Sequence, residues 1–163
     1  QLAAAEEQYA SGMKQVKEGR TSIKEGKNQI AATKKTLARQ EEQLSGQEKQ
    51  LAAMKTLLDK MDNAYLHGED YTPYDFEFHS MIAQCTGNDV MMRLLPTIHE
   101  SIQAGYHHTR RVEGSYQRAS QCHLEMYRGI LEHDSERARR AAQRHMMQTM
   151  HDSGVEVPSV LVK

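Results

Sequence analysis

Asp75 and His79 stand four residues apart in Tyr74-Asp-Phe-Glu-Phe-His79, and His123 and His145 follow at a separation that places each on its own helix. Residues i and i+4 of a helix lie one above the other on one face. A carboxylate oxygen and an imidazole nitrogen there can reach a single cation. If neighbouring helices deliver His123 and His145 to the same point, the set becomes one carboxylate and three imidazoles. That mixture suits Zn²⁺, Ni²⁺ or a similar first-row ion and leaves a position for water or a bound acid. Each residue also has an ordinary reading. The chain holds nine histidines, and His67, His99, His107, His108, His133 and His151 are expected to be solvated surface residues. Asp75 by itself is an acidic residue favoured in the first turn of a helix.

The elements that must carry these groups are helical. Three prolines, no tryptophan and ten methionines, with abundant Ala, Gln, Glu, Lys and Arg, point to an all-α protein. At 163 residues the chain suits one compact domain plus an appendage. Thr72-Pro73 reads as an N-cap followed by proline at the first helical position, and a helix is expected from about Pro73 to Cys85, burying Phe78, Met81, Ile82 and Cys85. Gly87 ends it, and Asn88 caps a helix carrying Val90, Met91, Leu94, Leu95, Ile98 and Ile102, with a kink expected at Pro96. A polar stretch from Arg110 to Ser115 leads to a helix near Tyr116–Glu132. Asp134 or Ser135 caps a last helix reaching about Asp152.

The first part of the chain follows a different pattern. Leu2, Tyr9, Val16, Ile23, Ile30, Leu37, Leu44, Leu51 and Leu58 recur at intervals of seven, which is a coiled-coil seam. The second seam position, three residues on, is small in the early heptads: Ala5, Gly12, Gly19 and Gly26. Small residues let backbones approach closely but bury little area, and each glycine weakens the helix by about 0.8–1 kcal/mol relative to alanine. This stretch is expected to need a partner, most simply the same segment of a second chain in a homodimer, with a frayed solvated helix as the alternative. Its last turns are expected to pack on the bundle through Leu51, Met54, Leu58 and Met61. The expected division is residues 1–44 as coiled coil, 45–153 as a metal- and effector-binding helical domain and 154–163 as a tail. The Gly-spaced heptads, as in Gln15-Val-Lys-Glu-Gly19, also resemble coiled-coil insertions of some bacterial membrane permeases, which raises a separate origin for this part.

From Tyr74 onward the chain resembles the effector-binding C-terminal domain of the FadR subfamily of GntR transcription regulators, in its metal-binding form. The likeness begins with Asp75-Phe-Glu-Phe-His79 and continues through Ile82-Ala-Gln-Cys-Thr-Gly-Asn88. It runs on through His123-Leu-Glu-Met-Tyr-Arg-Gly-Ile-Leu-Glu-His-Asp134 and Ala138, Ala141 and Ala142 to His145. Leu51 to Met61 resembles the preceding helix of the family, so the likeness covers roughly residues 50–150. It implies an antiparallel helical bundle, a divalent metal held by Asp75, His79, His123 and His145, and a small carboxylate effector on or beside that metal. It also implies that DNA is met only through a winged-helix domain, a motif not seen in these 163 residues. The sequence departs from the pattern at Cys122, where the family commonly has Glu, and at His133-Asp134, where it has Gly-Asp. The family's first effector-domain helix, which carries an arginine facing the pocket, is replaced by the coil, with Arg39 the only substitute.

The charges, 21 basic against 22 acidic, nearly cancel, which argues against a chain that itself grips nucleic acid. Apolar runs are too short for a membrane span, and Cys85 and Cys122 lack the spacing of a disulfide scaffold, so a cytoplasmic setting is expected. Arg110, Arg111 and Arg118, with Tyr106 and Ser101, are the candidates for completing the effector pocket, and a surface role is open to each arginine. The expected function is a non-enzymatic ligand sensor. The alternatives are a metal-dependent hydrolase with Glu77 or Glu125 as base, and a coiled-coil scaffold without ligand.

Overall fold

The structure, a computed structural model, describes residues 2–156, apart from the side chains of residues 101–108. The expected tail therefore lies largely outside the described residues. Among the described residues five helices follow one another: α1 Leu2–Leu66, α2 Thr72–Cys85, α3 Asp89–Thr109, α4 Ser115–Leu131 and α5 Ser135–Asp152. No strand occurs among the described residues. The chain divides into two compact units, Gln1–Gln47 and Glu48–Lys163.

In the first unit the chain is helical from Leu2, and its seven-spaced side chains Leu2, Tyr9, Val16, Ile23, Ile30, Leu37 and Leu44 are exposed by 53–83 %. In the second unit, an antiparallel helical bundle, Met54, Leu57, Leu58 and Met61 of α1 form a stripe with i, i+3, i+4, i+7 spacing. That stripe meets Phe78 of α2, Met126 of α4 and Ala141 of α5 in one buried cluster. Full burial of a side chain such as Phe78 or Met54 contributes about 1.5–3 kcal/mol, and these two are completely buried.

The bundle's turns have identifiable causes. Gly68 (φ 70°) and Gly87 (φ 62°) take the left-handed conformation that closes α1 and α2. Asn88 caps α3 as expected, its Oδ1 accepting the amides of Val90 at 3.0 Å and Met91 at 3.2 Å. Asp134 caps α5 by accepting the amide of Arg137 at 2.9 Å.

Two local expectations are corrected. Tyr71, not Thr72, is the capping residue of α2, because the Asp70 carboxylate accepts the Thr72 amide at 3.0 Å and draws Thr72 into the first turn. Cys85 is exposed, since it is the last residue of α2, and Ala83 is the buried residue there. Helix α3 is continuous from Asp89 to Thr109 with Pro96 inside it, and Val90, Met91, Leu94 and Ile98 are exposed by 40–63 %.

Candidate metal centre

Helix α2 brings Asp75 and His79 to one face, with Asp75 Oδ1 3.8 Å from His79 Nε2. The same carboxylate oxygen lies 3.5 Å from His123 Nε2 on α4, and His123 Nε2 lies 3.4 Å from His145 Nε2 on α5. The ring centroids of His79 stand 5.0 Å from those of His123 and 5.1 Å from those of His145. Ligand nitrogens of the three histidines all fall within 4.8 Å of one another. Asp75 and His123 are 4 % and 3 % exposed, so this convergence is in the interior.

The approach of α4 to α5 makes it possible. A Cβ on Gly129 would stand 2.6 Å from the backbone nitrogen of Ala138 and 2.9 Å from its Cα. The two helices therefore touch backbone to backbone near their shared turn. Seven residues beyond His145, Asp152 receives two hydrogen bonds of 3.0 Å from Arg118 Nη2. Gly129 with Ala138, His123 with His145 and Arg118 with Asp152 form one antiparallel register. The close crossing and the ion pair bracket the histidines and fix their facing.

Four polar groups packed into one interior point need a reason. Nitrogen ligands bind first-row ions at about 2.0–2.1 Å, which in a tetrahedral site sets ligand atoms about 3.3–3.4 Å apart. The 3.4, 3.5 and 3.8 Å separations are close to that edge. Burial, then the neighbouring His145 and His79, holds the His123 imidazolium far below its usual range. Burial, then His79, pushes His145 down to about 3. Both rings are thus neutral, the form that ligates a metal. His145 Nδ1 is buried without a hydrogen-bond partner among the described residues. With Nε2 facing the other ligands, that atom would carry the ring proton when a metal is bound. The donor set fits a divalent metal.

Residues 29–148 match the FCD domain. The chain belongs to the FCD family. A search of curated proteins finds no match. The FCD domain is the effector-binding domain of GntR-type transcription regulators, and the match begins inside the heptad stretch, earlier than the residue-level likeness near residue 50. Arg39 thus falls within the family's span, and its side chain is exposed.

The other candidates of the FCD domain are placed unevenly. Arg110 pairs with Asp70, bonds Thr72 Oγ1 at 2.7 Å and lies over the Tyr71 ring at 4.7 Å. Arg118 is committed to Asp152, and Arg111 is exposed. Ser101 and Tyr106 lie on α3, and their side chains are among those not described. Of the two acids weighed as a hydrolytic base, Glu77 is exposed, and Glu125 accepts from Arg137 at 2.9 Å and Arg128 at 3.1 Å. Those hydrogen bonds, Arg137's first, hold the Glu125 carboxyl below its usual range.

His99 is the residue the sequence did not mark. Its ring stacks on Phe76 with centroids 4.4 Å apart and 10° between planes, and burial followed by His79 lowers its pKa while Asp75 opposes. It is a neighbour of the centre rather than a solvated surface residue. No spacing signal joins His99 to α2; only the fold of α3 onto α2 does. The side chains of His107 and His108 are among those not described.

Proposed function

We propose that this FCD domain binds one divalent first-row ion, Zn²⁺ or Ni²⁺, through Asp75, His79, His123 and His145, and that a small carboxylate effector binds on or beside it. The observation that supports this best is the convergence of three imidazoles and one buried carboxylate from three helices at separations a single ion spans. Bound there, the ion would supply the positive charge that attracts an anionic oxygen of the effector. His99, stacked on Phe76 beside His79, joins the exposed Arg111 as a candidate for the effector's remaining oxygens. Acid binding then biases the pairing of winged-helix DNA-binding domains, in a cytoplasmic regulator. No hydrolytic step is assigned, because Glu125 is held by two arginines.

Calorimetry with hydroxy acids, dicarboxylates and sugar acids, on metal-loaded and metal-stripped protein, tests the effector. Saturable binding of an acid to the loaded form alone is expected. Equal binding to both forms, or binding of neutral sugars only, contradicts the reading.

A further inference from the structure

Along α1 the side chains of Leu2, Tyr9, Val16 and Ile23 are 53–83 % exposed. Between them, three residues after each, stand Ala5, Gly12, Gly19 and Gly26. A Cβ at any of these three glycines meets nothing within 4 Å. The stripe thus alternates large and very small positions, and this alternation discriminates between the ways a second copy can cover it. In a parallel, in-register pair each residue faces itself. Leucine or tyrosine layers then hold the helix axes apart while the glycine layers between them leave gaps, since axis separation is set by the side chains at the contact. In an antiparallel pair a large position faces a small one in every layer, and one close separation serves the whole seam.

We propose that two copies of this chain pair antiparallel through residues 2–26 of α1, about a two-fold axis near Lys14. Residue i faces residue 28 − i of the second copy, so Leu2 covers Gly26, Tyr9 covers Gly19, Val16 covers Gly12 and Ile23 covers Ala5, each twice by symmetry. The flanking positions agree. Glu6 lies beside Arg20, Met13 beside its own copy and Gln8 beside Ser22, so opposite charges meet and no like charges do. A shift of one heptad moves Leu2 onto the polar Thr33. A shift of two heptads sets Arg20 against Arg20 and Leu2 against Gln40.

Gly19→Leu gives an unusual test, because leucine is a better helix former than glycine and its Cβ meets no atom of its own chain. Light scattering of the full chain at tens of micromolar is expected to show a dimer. Gly19→Leu is expected to weaken it roughly tenfold or more, the scale of an overpacked contact. A parallel seam would instead tighten with leucine at that position. Spin labels at Glu7, and separately at Asn28, in a Cys85→Ser, Cys122→Ser background then read the direction. About a two-fold near Lys14, the copies of residue 7 lie about 21 Å apart along the axis and those of residue 28 about 42 Å. The longer distance at Asn28, with dissociation of Gly19→Leu, is the expected result. A monomeric full chain, tighter association of Gly19→Leu, or equal distances at both labels overturns the proposal.

Discussion

At the residue scale, the centre rests on side chains held neutral or charged by what surrounds them. Phe78 is completely buried, and its ring lies 5.2 Å from that of His123. Phe78→Ala should therefore cost about 3–5 kcal/mol, the range for emptying an aromatic core position, read as a shift of the denaturation midpoint. Asp152 shows the electrostatic side. Burial pushes its carboxyl up, yet hydrogen bonds from Arg118, Gln148 and His151 outweigh that and hold it below its ordinary 3.8. A carboxyl depressed in the folded state stabilises the fold above its unfolded pKa and loses that contribution as pH falls through the folded value. Its contribution should hold above about pH 4 and be lost below it, a step that adds to the loss beginning near pH 6.5, where the unfolded chain protonates His123 and His145 and the folded chain keeps them neutral. Asp152→Asn should remove that step and cost about 1–2 kcal/mol at neutral pH, less than a fully buried pair because Arg118 is 38 % exposed. Urea melts at pH 7 and pH 3 check both statements. Asp75 and His79 were readable as a pair because one helix turn joins them. His99 was not, because a ring stacked on Phe76 from another helix leaves no periodic trace.

At the scale of elements, the register of α4 against α5 decides whether His123 meets His145. Gly129→Ala drives a methyl group into the backbone of Ala138, and unlike a long side chain the backbone cannot turn aside. The expected cost is about 1–3 kcal/mol, together with weaker metal binding as the helices separate near the histidines. Loss of stability with metal affinity unchanged would break the link between the crossing and the site. The helices themselves were legible from Pro73, Gly87, Asn88 and the spacing of Met54, Leu58 and Met61, because caps and amphipathic stripes are local. The close crossing at Gly129 was not. Nothing local to Gly129 distinguishes a glycine needed for backbone contact from one that only ends a pattern.

At the scale of the whole molecule, the chain combines a bundle holding an interior histidine cluster with a helical stretch whose apolar seam is exposed. The bundle belongs to the FCD family, and the heptads that opened the sequence are helical from Leu2. No helix among the described residues is long and apolar enough to cross a membrane. The large and small alternation of the seam was visible in the sequence, but its consequence for direction needed the exposure of Val16 and Ile23. The central claim is that one ion organises Asp75, His79, His123 and His145. Thermal melting of metal-stripped protein during titration with Zn²⁺ and Ni²⁺ tests it most directly. An ion bound only by the folded state should stabilise it by about 2.7 kcal/mol at a hundredfold excess over Kd. His123→Ala should abolish most of that gain. His67→Ala should keep it, since His67 is exposed and its ring bonds only the Asn63 carbonyl at 2.8 Å. Stabilisation of wild type and His67→Ala but not of His123→Ala is the predicted result; equal stabilisation of all three, or of none, contradicts it.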